Sequence, residues 1–159
     1  MVARRIGRRA THYAEERYWL EDFVRYRELL SVALNVVEQE QDNAVRIVNA
    51  MESIGGGHTG PKPDKILTGI ARYDKVLGHL VATVETYARE LAERMEAVDQ
   101  ITLPEAKAVI WYQYICRASM ADVTRLLGIH RQTALLWGYK GLEEIRVWRE
   151  AKKKEKAGA

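Results

Sequence analysis

The chain has 159 residues, enough for one ordinary domain or two small ones with a modest core, which excludes collagen, mucin-like stalks and polytopic transporters. With 47% hydrophobic and 30% charged residues and only three prolines, it reads as a globular, mainly helical chain rather than a disordered one. The net charge of +3 hides an uneven distribution: residues 1–10 hold four arginines and no acid, residues 151–159 hold four lysines and one glutamate, and the body between them sums to −4. Two basic ends on an acidic body fit mobile arms for a polyanion, and they fit solubilising tails equally well.

Cys116 is the only cysteine, so no intrachain disulfide and no cysteine-rich zinc site can form, and a reducing compartment is expected. His12, His58, His79 and His130 show no paired ligand spacing, so neither a metal nor any other cofactor is expected. No apolar stretch follows the N-terminal arginines, and no run approaches the roughly 18 apolar residues of a membrane span, so a cytoplasmic protein without membrane contact is expected.

In chain order, residues 11–40 contain no glycine or proline, and Trp19, Phe23, Tyr26, Leu30, Ala33 and Val37 recur in steps of four and three, the stripe of a heptad helix. A shorter helix over residues 43–52 is expected to follow, ended by Gly55, Gly56, Gly57, Gly60, Pro61 and Pro63. A second long helix begins near Asp64, whose carboxylate suits a helix start. Ile66, Ile70, Tyr73, Leu77, Leu80, Val84, Tyr87 and Leu91 form its heptad stripe, which Met95 and Val98 extend after a one-step slip. The two stripes suit a helical hairpin, and they suit pairing between chains as well. Gly69 and Gly78, off the stripe, are either tolerated or permit another helix to come close.

From Ile101 the pattern changes to short helices with explicit start signals. Thr102 and Glu105 have the spacing of a capping box, predicting a helix from there to about Cys116, with Cys116 in the core. Ser119 and Asp122 repeat that spacing before a short helix ending at Leu127. Gly128 then tolerates the positive φ of a turn, and a last helix runs from His130 or Arg131 to about Arg149. Val123, Leu127, Ile129, Ala134 and Trp137 fall at inward positions, the arrangement of a helix-turn-helix. The outward face of the last helix then carries Arg131, Gln132, Leu135, Leu136, Tyr139 and Lys140. Arginine and glutamine can make paired hydrogen bonds to guanine and adenine edges, leucine can contact a thymine methyl, and lysine can reach phosphate. The alternative is a plain helical bundle in which the leucines are core. Gly138 and Gly141 each cost that helix about 1 kcal/mol relative to alanine.

The expected organisation is thus an all-α chain: a basic arm at 1–10, a helical hairpin or coiled coil at 11–100 with its glycine and proline loop at 55–63, a helix-turn-helix domain at 101–150, and a basic tail at 151–159. Enzyme readings fail one by one. Pro61 stands where a phosphate-binding loop needs lysine after Gly60, Cys116 has no activating base nearby, and Glu143 and Glu144, being adjacent, point to different sides of a helix.

Residues 103–146, LPEAKAVIWYQYICRASMADVTRLLGIHRQTALLWGYKGLEEIR, resemble region 4 of sigma factors, the module that reads the upstream promoter element. The leucine-proline start, the short helix ending in leucine-glycine-isoleucine and the arginine-x-threonine opening of the last helix carry the likeness. Over most of residues 15–149 the layout is similar to the RinA/ArpU type of phage transcriptional regulators. That resemblance implies a DNA-binding regulator in a bacterial host, an activator of late phage genes, with RNA polymerase as a possible second partner. Carried over by position, the residues that read DNA fall on His130, Arg131, Gln132, Thr133, Leu136, Tyr139 and Lys140. His130 takes a place usually held by serine. A homodimer would double the half-site. The competing readings are a small terminase subunit, which also joins such a motif to an oligomerising coiled coil, and a helical adaptor that binds protein through its heptad stripes.

Overall fold

The computed structural model describes residues 12–53 and 63–159, and among these the only regular structure is helix. The basic segment 1–10, His58 and the loop residues 55–62 lie outside the described residues. None of the described helices is long and apolar enough to cross a membrane.

Helix α1 spans Ala14–Ser53 without a break, 40 residues, where two helices were expected. Asp42 and Asn43 are weak helix formers, but each costs only a few tenths of a kcal/mol, too little to interrupt a long helix that lacks glycine and proline. Helix α2 spans Pro63–Asp99, with proline at its first position, where the missing N–H costs nothing. Among the described residues a Cβ at Gly69 or Gly78 would meet no atom within 4 Å, so neither glycine serves a close approach to them.

Helix α3 covers Pro104–Ile110 and passes into a π-helical turn at Trp111–Ile115. The extra residue in that turn brings neighbouring Tyr114 and Ile115 both into the core, and Arg117 closes it in the left-handed region at φ 58°. Cys116, expected in the core, is exposed at the end of this turn. The expected capping box does not form: the cap of α3 is Leu103, with no side-chain hydrogen bond. The Thr102 amide and hydroxyl instead donate to the Glu144 carboxylate, at 2.7 and 3.0 Å. An ionised acceptor from a distant helix offers a stronger bond than a local amide can.

Helix α4 is Met120–Leu127 and α5 is Arg131–Gly158. α5 continues nine residues beyond the expected end at Arg149, so the basic tail is a helical extension, three of whose four lysines face acids. Lys152 pairs with Glu96 at 3.1 Å, Lys153 with Glu15 and Lys156 with Glu93, both at 3.5 Å.

Two compact units result. One joins residues 12–26 to Glu90–Ala159, and the other is Arg27–Arg89, so the division falls inside α1 and α2. The first unit has a core of Leu20 and Phe23 from α1, Ala97 and Val98 from α2, Ala106 and Ile110 from α3, and Leu142 and Ile145 from α5. Arg94, 2% exposed, joins α1 to α2 there. Its Nε donates to the Trp19 carbonyl at 2.7 Å and its Nη1 to the Glu90 carboxylate at 2.7 Å. The guanidinium lies 4.7 Å from both the Trp19 and the Tyr26 ring centres. In the second unit the stripe residues Leu30, Val37, Tyr73, Leu77, Leu80 and Val84 are half-buried and Ala33 is buried, as heptad spacing requires, whereas Ile70 is 53% exposed.

Candidate functional site

The site is built by three local decisions of the chain between Ser119 and Lys140. At the start of α4 the Ser119 Oγ accepts from the Asp122 amide at 3.1 Å and donates to the Asp122 carboxylate at 2.8 Å, and that carboxylate also holds Arg125 at 2.8 Å. At its end Gly128 sits at φ 62°, ψ 35°, a left-handed cap that alanine would occupy under strain. Val123 and Ala134, both 0% exposed, then lock α4 onto α5, helped by half-buried Leu127, Ile129 and Trp137.

Against the core α5 presents small residues. A Cβ at Gly141 would lie 2.6 Å from Ile110 Cγ1, so glycine there lets α3 and α5 approach closely. With one side of α5 committed to packing, the opposite side is open. Gln132, Leu136 and Lys140 recur every four residues along it and are all exposed, Leu136 at 43%. They span about 12 Å of helix. Exposed His130 and Arg131 stand at its N-terminal end, where the His130 side chain makes no cap. Neither Arg131 nor Lys140 has an ion-pair partner among the described residues. The acids nearby are engaged elsewhere: Asp122 by Arg125, and Glu143 by Arg146 at 2.7 Å. A hydrogen bond from Tyr13 and the charge of Arg146 hold the Glu143 carboxyl below its ordinary range, although partial desolvation opposes them.

Not every residue expected on this face is found there. Thr133 is half-buried. Tyr139 and Leu135 turn to the flank of α5, where with Arg17, Gln113, Tyr114 and Met120 they line an open cavity of about 70 Å³. Tyr139 stacks on Tyr13 at 6.0 Å, so the aromatic side chain is spent on packing against the start of α1. Burial pushes the phenol of Tyr114 in the same cavity upward, with the nearby Arg17 pulling the other way. Two exposed neighbours were missed by sequence reasoning: Leu126 on α4, 57% exposed, and Arg117 in the preceding turn. The helical period could have found Leu126; nothing local marks the left-handed Arg117.

Among the described residues no group of three or more His, Cys, Asp or Glu side chains is placed to hold a metal ion. No family model matches this sequence, and no curated protein or solved structure matches it.

Proposed function

We propose that the chain is a sequence-specific double-stranded DNA-binding protein that inserts the N-terminal half of α5 into the major groove. The observation that carries the reading is the exposed row Gln132, Leu136 and Lys140, headed by His130 and Arg131, with both strong cations unpaired among the described residues, on the second of two helices joined by a left-handed glycine. A row about 12 Å long matches the width of the major groove. Its chemistry divides naturally: Arg131 and Gln132 offer bidentate hydrogen bonds to base edges, Leu136 an apolar contact, Lys140 charge for phosphate, and His130 a polar ring at the helix entry. Thr133 and Tyr139 act through packing. The resemblance to sigma region 4 and to RinA/ArpU-type regulators extends this to transcriptional activation of late phage genes in the bacterial cytoplasm, with RNA polymerase as a further partner.

Selection from a randomised duplex library, followed by fluorescence anisotropy on the selected and scrambled duplexes, tests the reading. Arg131→Ala and Gln132→Ala should each lose about 1–3 kcal/mol of discrimination. Lys140→Ala should weaken both duplexes alike. Equal binding of selected and scrambled DNA by wild type and all three variants, or no salt-sensitive affinity at all, would overturn it.

A further inference from the structure

Where His12 and Tyr13 are held decides what the basic segment before them reaches. Counting about 100° per residue, Gln132, Leu136 and Lys140 centre on one direction of α5, Glu143 continues that row in the next turn, and Tyr139 and Arg146 lie about 60° and 80° to one side of it. The start of α1 is fastened at this edge. Tyr13 stacks on Tyr139 at 6.0 Å and its hydroxyl donates to the Glu143 carboxylate, while Arg146 Nη1 lies 2.8 Å from His12 Nε2. The chain before His12 therefore starts beside the face that carries Lys140.

Residues 1–11 hold Arg4, Arg5, Arg8 and Arg9, and neither lysine nor acid. At no more than about 3.6 Å per residue, Arg9 can stand up to about 11 Å and Arg4 up to about 29 Å from the Cα of His12. Carboxylates around that root already have cations of their own: Glu143 pairs with Arg146 at 2.7 Å, and Glu15 and Glu16 pair with Arg149 at 3.1 and 3.7 Å.

A helix in the major groove has a sugar-phosphate strand along each flank, and a minor groove lies across either strand. A chain leaving over one flank of α5 thus meets phosphate first and then a minor groove. Arginine suits that groove better than lysine. Its guanidinium is more weakly hydrated, and the narrow minor groove of A·T-rich sequence has an enhanced negative potential that draws it in.

We propose that Arg4, Arg5, Arg8 and Arg9 enter the minor groove adjoining the bases read by α5, making the segment before α1 a second DNA-reading element that favours narrow, A·T-like flanks. The proposal rests on the DNA-binding reading of α5. It adds recognised sequence on the side of α5 where α1 begins, without a further folded domain.

Fluorescence anisotropy with a duplex selected for binding by the full chain tests it, once with G·C pairs flanking the site and once with inosine·C pairs. That exchange removes the guanine N2 amino group from the minor groove and leaves the major-groove pattern intact. Wild type should bind the inosine flanks at least about threefold more tightly. A variant with Arg4→Ala, Arg5→Ala, Arg8→Ala and Arg9→Ala should bind at least about tenfold more weakly at about 0.1 M salt, with the slope of log K against log salt smaller in magnitude by about two to four, and should not distinguish the flanks. The corresponding four-lysine variant should keep the slope to within about one and lose the preference. All these substitutions lie outside the described helices, and circular dichroism should show unchanged helicity. Unaltered affinity and slope in the four-alanine variant, equal binding of both flanks by wild type, or a full flank preference in the four-lysine variant would overturn the proposal. Each of those results leaves sequence-specific binding by wild type in place, whereas failure to select any duplex would remove the reading of α5 and this proposal together.

Discussion

Gly138 and Gly141 lie three residues apart in α5, and their replacement by alanine should change stability in opposite directions. Both occupy a helix interior, where alanine is favoured over glycine by about 1 kcal/mol. At Gly138 the new methyl would meet Val109 Cγ1 at 3.5 Å, an ordinary contact, so Gly138→Ala should stabilise by about 0.5–1 kcal/mol. At Gly141 it would fall 2.6 Å from Ile110 Cγ1, 3.3 Å from Cδ1 and 3.4 Å from the Ala106 carbonyl oxygen. Ile110 is 0% exposed and β-branched, so it can neither swing into solvent nor change rotamer freely. Overpacking of this severity belongs near the upper end of the usual cost, about 3 kcal/mol, leaving Gly141→Ala a net 2 kcal/mol or so less stable. Trp19, Trp111, Trp137 and Trp148 all belong to the unit that contains α5, so urea unfolding followed by tryptophan fluorescence reports on it directly. In an Ile110→Ala background the obstruction is gone, and Gly141→Ala should turn stabilising. Equal stabilisation by Gly141→Ala and Gly138→Ala, or an unchanged sign in that background, would refute the clash with Ile110.

Other consequences follow from the same geometry. Arg94→Met should cost about 3 kcal/mol or more by leaving the Glu90 carboxylate without its donor and removing the cation from between the Trp19 and Tyr26 rings, and Arg94→Lys should recover little, because a point charge cannot stack between two rings; the same unfolding assay measures both. Gly128→Ala should cost about 1–2 kcal/mol by forcing alanine into the left-handed region, seen as a lower urea midpoint with an unchanged m value. Tyr13→Phe removes the hydrogen bond that chiefly lowers the Glu143 pKa, so an NMR titration should show that pKa rising toward its ordinary value. Because the folded-state value lies below the unfolded one, the contribution is fully present above the ordinary carboxylate range and is lost as pH falls through the folded value; the variant should therefore lose less stability on acidification.

How much of this was legible in the sequence depended on how local each decision is. The Ser119 cap and the Gly128 turn are settled within four residues, and both form as spacing predicts. The Thr102–Glu105 box has equally good spacing and does not form, because Glu144, 42 residues away, arrives to take the threonine's donors. Gly141 looks like a defect until Ile110 is placed against it, and no local pattern supplies that neighbour. Exposure of Gln132, Leu136 and Lys140 follows from the helical period, since each lies well away from Ala134 and Gly138 around the axis. Tyr139 sits on the border of that face, where period alone cannot choose, and its stacking partner Tyr13 comes from the far end of the chain. Arg94 sits among heptad residues as a charge that composition assigns to the surface. Two aromatic rings, the Trp19 carbonyl and the Glu90 carboxylate together make its burial tolerable.

Total charge does not by itself locate a polyanion-binding surface. Four lysines beyond residue 150 suggest a phosphate-binding tail, yet Lys152, Lys153 and Lys156 each have a carboxylate within 3.5 Å, and the pairing with Glu96 raises the pKa of Lys152. Arg149 is likewise held by Glu15 at 3.1 Å, and its charge keeps the Glu15 carboxyl below the usual range. A cation already matched by a nearby carboxylate releases few counterions from DNA, so it adds little to the salt dependence of binding, whereas each free cation brought to phosphate adds about 0.9 to the magnitude of the slope of log K against log salt. Lys140→Gln should therefore reduce that slope by about one, and the double change Lys152→Gln with Lys156→Gln should leave it nearly unaltered while lowering the urea midpoint. The reverse result, a slope that falls with the tail lysines and not with Lys140, would move the contact with DNA away from the first half of α5 and onto its C-terminal end.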